Sequence, residues 1–212
     1  MREETKTITF SLSICLICSI LLSGLASGLK SIQTANQEFD VKRNIVKAFG
    51  IDISKLSRIE IEETYNSHIS KEMVSTPSGD VPIFQWTETP NSMPTKYAFP
   101  ISGKGLWSMM YGYLSIDSDL ETVAGISFYK HGETPGLGAE IVKTWFSSQF
   151  SGKKLYTDGK PTDFRVLKPG SVLDQSSVDG ISGSTITSKG VEKLIKRDAA
   201  TYADYFNNIK GS

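Results

Sequence analysis

The stretch "DGISGSTITSKG", residues 179–190, holds the side chains best suited to chemistry in this chain. Five hydroxyl residues surround one glycine just before an amphipathic sequence: Ser182, Ser184, Thr185, Thr187 and Ser188. Such residues cap helix starts, the N–H groups of a helix N-terminus bind phosphate, and a hydroxyl accepts a covalently attached group. The loop alone is compatible with all three uses.

A second candidate binding stretch is "YKHGETPGLGAEI", residues 129–141. Its Pro-Gly pair predicts a turn, because proline fixes the first turn position and glycine accepts the positive φ of the second. Gly138 lets a ligand approach the backbone closely, while Thr134 adds a hydroxyl and Leu137 an apolar contact. These features suit a planar ring with a polar edge, and an ordinary tight turn explains them equally well.

Several other enzyme chemistries lack their residues in this sequence. The two histidines, His68 and His131, belong to no group with metal-ligand spacing, so we predict no metal site. No Gly-x-Ser-x-Gly elbow occurs. A hydrolase that used Thr185 or Ser184 with His131 would have no identifiable third group to orient the base.

Three motifs together give the chain a family resemblance. "GKGLWSMMYGYL", "HGETPGLGAEI" and "DGISGSTITSKG", in this order behind one predicted membrane span, resemble the C subunit of the sodium-translocating NADH:quinone reductase. The resemblance covers nearly the whole chain. The G subunit of the Rnf electron-transport complex shares the second and third motifs, but residues 106–112 resemble the quinone reductase protein more closely.

The resemblance implies a covalently bound flavin. In both families the pattern Ser-Gly-Ala-Thr carries FMN on its threonine through a phosphoester bond. Here the pattern reads Ser182-Gly183-Ser184-Thr185, so Thr185 is the implied attachment site and Thr187 is the alternative. Serine in place of the alanine is a small change that still admits the modifying enzyme.

The resemblance also implies which residues contact the cofactor. Four line the flavin ring: Trp107, Thr134, Leu137 and Lys168. Two lie near the phosphate: Gly183 and Thr187. Gly138 and Ser184 complete the predicted cofactor-binding set. Without the resemblance, Lys168 is a single lysine beside a turn, and the side chain of such a lysine is usually solvated.

A role in electron transfer follows from the same resemblance. It implies one subunit of a respiratory complex that oxidises NADH, reduces quinone and exports sodium, with this chain relaying electrons through FMN. NADH, quinone and the ion path would lie on other membrane subunits, and a flavin transferase would attach the cofactor. Two alternatives stay open: the G subunit of an Rnf-type complex, and a cell-envelope binding domain without redox function.

An uncharged apolar segment, residues 8–29, predicts a transmembrane helix. About 20 mostly apolar residues cross a bilayer, and the run exceeds the roughly 7–15 residues of a signal-peptide core, although a cleaved signal peptide is the alternative. Two positive residues precede the span and one follows it, which favours a cytoplasmic N-terminus. We predict an anchor over residues 1–29 and an extracytoplasmic FMN-binding domain over residues 30–212, on the periplasmic side of a bacterial inner membrane.

Charge and cysteine content restrict the possible partners. Lys+Arg 23 balance Asp+Glu 23, so no basic face for nucleic acid is predicted. Both cysteines, Cys15 and Cys18, lie in the apolar segment. The outer domain therefore has neither a disulfide nor a thiolate-ligated cluster.

Strand and helix patterns mix without regular alternation, which predicts an α+β fold: an antiparallel sheet flanked by helices. Aromatic and β-branched runs predict main strands at residues 81–86, 96–102, 106–116 and 122–130. Shorter runs predict edge strands at residues 153–157 and 163–168. Helical spacing predicts helices at residues 34–49, at residues 139–150, and in a closing segment whose apolar stripe runs from Val191 to Ile209.

Overall fold

The computed structural model describes residues 2–76, 79–89 and 92–211. The chain divides into two compact units, Met1–Asp40 and Val41–Ser212. The division falls beyond the predicted boundary between residues 29 and 30. That boundary concerns a bilayer, so it stays a prediction.

The first helix, α1, runs from Glu3 to Ala48 and joins the two predicted N-terminal helices into one. Among the described residues it is the one helix long and apolar enough to cross a membrane. It ends where predicted, because Gly50 has a φ of +84° and its N–H group donates to the Lys47 carbonyl at 3.0 Å.

A five-stranded antiparallel sheet follows in the order β1-β2-β3-β4-β5. Helix α2 spans Arg58–His68, and the strands span Ile69–Thr76, Gly79–Trp86, Lys96–Lys104, Met109–Asp117 and Val123–Lys130. The sequence predicted β2 to β5 and an antiparallel sheet, and the structure confirms both. Strand β1 and helix α2 were not predicted.

Side chains alternate between two apolar layers across this sheet, as the two-residue period of a strand requires. On β3, Phe99 and Ile101 face the larger layer and Ala98 faces the smaller one. The smaller layer is covered by Ile45 and Phe49, at and just beyond the end of α1. The larger layer is covered by the last helix of the chain.

That last helix, α4, is the closing helix predicted from the sequence. The remaining elements in chain order are α3 at Thr144–Ser147, β6 at Tyr156–Thr157, β7 at Lys160–Pro161, β8 at Arg165–Leu167, β9 at Ser177–Asp179 and α4 at Thr185–Lys210. The predicted stripe of α4 is buried at Val191, Leu194, Tyr202 and Phe206. Each such side chain contributes roughly 1.5–3 kcal/mol when fully buried.

Two local predictions were wrong. Residues 139–150 form no single helix, because Lys143 is extended (φ −75°, ψ 146°) and separates a 3₁₀ turn from the four-residue α3. The break lets Ile141 and Phe146 both reach the core, where each is fully buried. Neither predicted edge strand is a strand of the five-stranded sheet: β6 pairs with β7, and β8 pairs in parallel with β9. The segment before β6 still touches the sheet edge, because Lys154 forms one isolated antiparallel bridge with Thr122, next to β5.

Candidate functional site

The hydroxyl-rich loop ends at the N-terminus of α4. Ser184 is the N-cap residue, and its side chain makes no capping hydrogen bond. Gly183 has a φ of +73°, a left-handed conformation that glycine adopts without strain. The first N–H groups of a helix have no partner within the helix. At this terminus the Ser184 side chain does not accept a hydrogen bond from them.

The five hydroxyls of the loop differ in exposure. Ser182 and Thr185 are exposed, whereas Ser184, Thr187 and Ser188 are buried. Two of the buried hydroxyls have defined structural partners. The Ser188 hydroxyl accepts a hydrogen bond from the backbone N–H of residue 181 at 2.9 Å, and Thr187 donates to a carboxylate at 2.6 Å. Ser182 and Thr185 are therefore the hydroxyls open to a modifying reaction.

The Pro-Gly turn has the predicted geometry. Gly136 has a φ of +74°, and the Leu137 N–H group donates to the Thr134 carbonyl at 3.1 Å. The Thr134 and Leu137 side chains are exposed, while Gly138 is buried. A Cβ atom built on Gly183 would lie 3.2 Å from the Leu137 side chain. The turn and the hydroxyl-rich loop are thus neighbours.

Glu133 connects all three sequence motifs. Its carboxylate accepts hydrogen bonds from the backbone N–H groups of Leu106 at 3.1 Å, Trp107 at 3.0 Å and Ser108 at 3.2 Å. It also accepts the 2.6 Å bond from the Thr187 hydroxyl. The side chain is buried, with 4% exposure. One carboxylate therefore holds the loop that carries Trp107 against the first turn of α4.

The ionised form of Glu133 is favoured by these bonds. Burial alone raises the pKa of a carboxyl group, but the Thr187 hydroxyl and the three N–H donors outweigh it and hold the pKa of Glu133 below its ordinary value. Hydrogen bonds to a charged group are stronger than neutral ones. The site is thus built around a fixed negative charge whose hydrogen-bonding capacity is used by the protein itself.

Two glycines make room for this carboxylate. A Cβ atom at Gly105 would lie 2.5 Å from Glu133 Oε1, and one at Gly138 would lie 2.7 Å from Thr187 Oγ1. Both distances are far below van der Waals contact. Gly138 therefore permits close packing within the site, and the approach of a ligand to its backbone stays a prediction.

Lys168 reaches the site through the parallel β8–β9 pair. Strand β9 leads into the hydroxyl-rich loop, and the Gly180 N–H group donates to the Leu167 carbonyl at 2.7 Å. Lys168 is exposed and, with Gly183 and Thr185, lines a cavity of about 320 Å³. The strand pairing accounts for the position of a lysine that the sequence motifs left isolated.

Large apolar side chains are exposed around the same helix terminus. Trp107 is 69% exposed, Ile186 is 59% exposed, and Leu106 and Leu137 are close to half exposed. Leu106 and Ile186 also line one groove together with Thr185. A cluster of exposed apolar residues beside polar groups is typical of a binding site.

The structure brings the nine predicted site residues to the N-terminal end of α4 or to the segments that contact it. Sequence reasoning missed Glu133, although it lies in the second motif, because the turn formers that follow it carry the stronger local signal. Its position within the second motif, directly before Thr134, was the available indication. Among the described residues, no group of three His, Cys, Asp or Glu side chains could hold a metal ion.

Comparison with known proteins links this architecture to flavin-binding domains. A family model described as "FMN-binding domain" matches residues 105–199, a range that contains all nine predicted site residues. The C subunit of the Na(+)-translocating NADH-quinone reductase from Yersinia pestis is 32% identical over 88% of this chain and 85% of its own length. The protein of the same name from Pasteurella multocida is 33% identical over 90% of this chain and 87% of its own length.

Solved structures give the same result. The crystal structure of the C subunit of the Na(+)-translocating NADH-quinone reductase from Parabacteroides distasonis matches with a TM-score of 0.73 and 35% identity, covering 84% of this chain and 96% of that one. Shewanella oneidensis NqrC matches with a TM-score of 0.74 over 84% of this chain and 100% of that one. Its identity of 24% supports the fold alone.

Proposed function

The chain belongs to the family formed by the C subunit of the sodium-translocating NADH-quinone reductase, and we propose that it carries FMN as a phosphoester on Thr185 and relays electrons within that reductase. One observation carries the choice of residue. Thr185 is exposed at the first position of α4, whereas Thr187 is 1% exposed and its hydroxyl already donates to Glu133. A transferase can reach the first hydroxyl and not the second.

The terminus of α4 suits the flavin phosphate. Its first N–H groups lack helical partners, and the Ser184 side chain does not cap them. A negative charge near a helix N-terminus gains roughly 0.3–1 kcal/mol from the macrodipole. Lys168, in the cavity that Thr185 also lines, adds a positive charge. These groups would hold and orient the phosphate.

The exposed apolar side chains suit the flavin ring. Trp107 and Leu137 offer exposed apolar contacts, and the exposed Thr134 hydroxyl would serve the polar edge of a ring. Contact between a ring and such side chains removes apolar surface from water at roughly 25 cal/mol per Å². Glu133 holds the backbone of Trp107 in place, so its part is to position a ring contact rather than to touch the ring.

The bound flavin would supply the redox chemistry, and the chain would supply its position and surroundings. A phosphoester leaves the isoalloxazine unmodified and prevents loss of the cofactor. We assign NADH oxidation, quinone reduction and sodium transport to other subunits of the reductase, and cofactor attachment to a flavin transferase. The apolar part of α1 is a retained anchor in this proposal, with the flavin domain on the periplasmic side of the bacterial inner membrane.

Mass spectrometry of three variants tests the attachment site. Coexpression with a flavin transferase is expected to raise the intact mass of the wild-type chain by FMN less water. Thr185→Val is expected to abolish the increase, and Thr185→Ser, which keeps a hydroxyl, serves as the matched control. Ser182→Ala is expected to keep the label. An increase that persists in Thr185→Val moves the acceptor elsewhere, and an unmodified wild-type chain from its native membrane contradicts the proposal.

Copurification tests the assignment to the reductase. Protein extracted from its own membrane with mild detergent is expected to bring NADH-oxidising and quinone-reducing activity with it. Copurification with an Rnf-type complex would instead support the alternative.

A further inference from the structure

A groove lined by positive charge begins at Thr185. It has a volume of about 740 Å³ and lies between the end of β3 and one side of α4. Its charged lining residues are all basic: Lys104, Lys189, Lys193 and Arg197. The chain as a whole has no net charge, so this concentration is local.

The helical register aligns the charges with the acceptor. Thr185, Lys189, Lys193 and Arg197 follow one another at intervals of four residues, which places them on one side of α4. At 1.5 Å per residue this row is roughly 18 Å long. Gly190 brings the helix close to β3, since a Cβ atom there would lie 2.5 Å from the Lys104 carbonyl oxygen. The close packing of α4 on β3 therefore forms the groove, and the Thr185 hydroxyl lies at one end of it.

Two of the four cations are available to a partner. Lys189 pairs with Glu192 at 2.8 Å, and Arg197 pairs with Asp198 at 2.6 Å. Lys104 and Lys193 are exposed, and neither forms an ion pair with any residue that the structure describes. The neighbouring end of the groove exposes apolar side chains beside Thr185.

We propose that this basic groove is the docking surface for the flavin transferase, which would meet it with acidic side chains. The inference rests on the proposed attachment of FMN to Thr185. A transferase must bring its reacting atoms into bond-forming contact with the threonine, so it must cover the surface next to it. Electron transfer to another protein of the complex needs no such contact at Thr185, and the groove therefore fits the modifying enzyme better.

The proposed reaction at the Thr185 end of the groove is a phosphoryl-group transfer. The Thr185 hydroxyl oxygen forms a bond to the flavin phosphorus of a phosphoanhydride donor such as flavin adenine dinucleotide. The bridging P–O bond of the anhydride breaks and its electron pair leaves with the departing phosphate monoester. The hydroxyl proton passes to a base on the transferase, and no atom changes oxidation state.

Charge reversal tests the docking surface. The full-length chain in detergent is incubated with transferase and flavin adenine dinucleotide, and attachment is followed by intact mass and by in-gel flavin fluorescence. Lys104→Glu with Lys193→Glu is expected to lower kcat/KM for attachment at least tenfold at low ionic strength and to weaken its salt dependence. Lys55→Glu with Lys71→Glu makes the same change in net charge at exposed lysines elsewhere and is expected to leave the rate unchanged.

The outcomes separate the docking surface from the attachment itself. Equal rates for wild type and the groove variant overturn the docking surface, as does an equal loss in both charge-reversed variants. Normal attachment with impaired electron transfer in the assembled reductase also overturns it and assigns the groove to another protein of the complex. A wild-type chain that accepts no flavin contradicts the proposed function as well. If charge reversal impairs folding, Lys104→Gln with Lys193→Gln replaces it. This variant is expected to lower kcat/KM for attachment at least threefold. An unchanged kcat/KM again counts against docking.

Discussion

Thr185 and Thr187 lie two residues apart in the first turn of α4 and face opposite surroundings. Thr185 is exposed and lines cavities on two sides. Thr187 is buried against Glu133. Residues two apart on a helix point about 200° from each other, so a single turn supplies one accessible hydroxyl and one structural hydroxyl. The accessibility of each hydroxyl follows from what faces it, not from the residue type.

Removal of the Glu133 carboxylate is expected to have the largest effect on the buried side of this turn. Glu133→Ala leaves three backbone N–H groups and the Thr187 hydroxyl without their acceptor. The Thr187 hydroxyl is buried, whereas the three N–H groups are partly buried. An unsatisfied buried group costs roughly 1–3 kcal/mol and a partly buried one less, so we expect a total loss of about 3–5 kcal/mol in the free energy of unfolding, measured with urea. Glu140→Ala is the control, since that carboxylate bonds the Trp145 indole at a partly exposed position, and we expect a loss below about 1 kcal/mol. Equal losses would contradict the central role of Glu133.

Acid titrates the same carboxylate. Because the folded-state pKa of Glu133 is lowered, its stabilising contribution is present above its unfolded pKa, near 4.3. That contribution is lost as the pH falls through the lowered folded-state pKa. Urea unfolding from pH 6 to pH 3 is therefore expected to give a steeper loss of stability for the wild type than for Glu133→Gln. Parallel curves would mean that the carboxylate is not preferentially ionised in the folded state.

Paired threonine variants test the comparison directly. Thr187→Val is expected to lose about 1.5–3 kcal/mol, the contribution of a hydrogen bond to a charged group, and to keep FMN on Thr185. Thr185→Val is expected to change stability by less than about 0.5 kcal/mol and to carry no flavin. Urea unfolding and intact mass measure both properties. A labelled Thr185→Val chain would reverse the assigned roles.

A methyl group added at Gly138 is expected to lower the free energy of unfolding somewhat less than removal of the Glu133 carboxylate. In Gly138→Ala the new methyl group meets Thr187 Oγ1 at 2.7 Å and Glu133 at 2.9 Å, and overpacking of this kind costs roughly 1–3 kcal/mol. Gly211→Ala is the control because its φ is −92° and the nearest atom is 3.6 Å away. We expect the control to change the free energy of unfolding by less than about 0.5 kcal/mol.

The smallest effect is expected at the N-cap of α4. Ser184→Ala removes a side chain that makes no capping bond, so we expect a loss below about 0.5 kcal/mol and unchanged flavin attachment. Ser57→Ala at the N-cap of α2 is the contrast, because a capping box joins Ser57 and Glu60 and loss of such a cap typically costs about 1 kcal/mol. A larger loss at Ser184 than at Ser57 would contradict the uncapped terminus.

The main sheet was predictable because its central strands carry strong local patterns. Strands β3 to β5 are rich in aromatic and β-branched residues, and their alternation matches the two apolar layers. Strand β1, Ile69–Thr76, was missed because most of its side chains are exposed at the sheet edge and no apolar pattern marks it. The sequence does contain the capping-box pattern of Ser57 and Glu60 that begins α2, which would have predicted the start of this helix.

The site was predictable only in part. The motifs identified which segments matter, and the Pro-Gly turn followed from local rules alone. The burial of Thr187 could not be predicted from local rules, because it depends on the Glu133 carboxylate, 54 residues earlier in the chain. The break at Lys143 was also invisible locally, since two short helical turns with helix-forming residues resemble one helix until the core positions of Ile141 and Phe146 are known.

The Glu133 carboxylate also makes the surroundings of Thr185 depend on segments that are distant in the sequence. It bonds Leu106, 27 residues before it, and Thr187, 54 residues after it. Thr185 gains its final surroundings only when these distant segments have come together. Under the attachment proposed above, an enzyme that recognises this arrangement would act on folded chains rather than on unfolded ones.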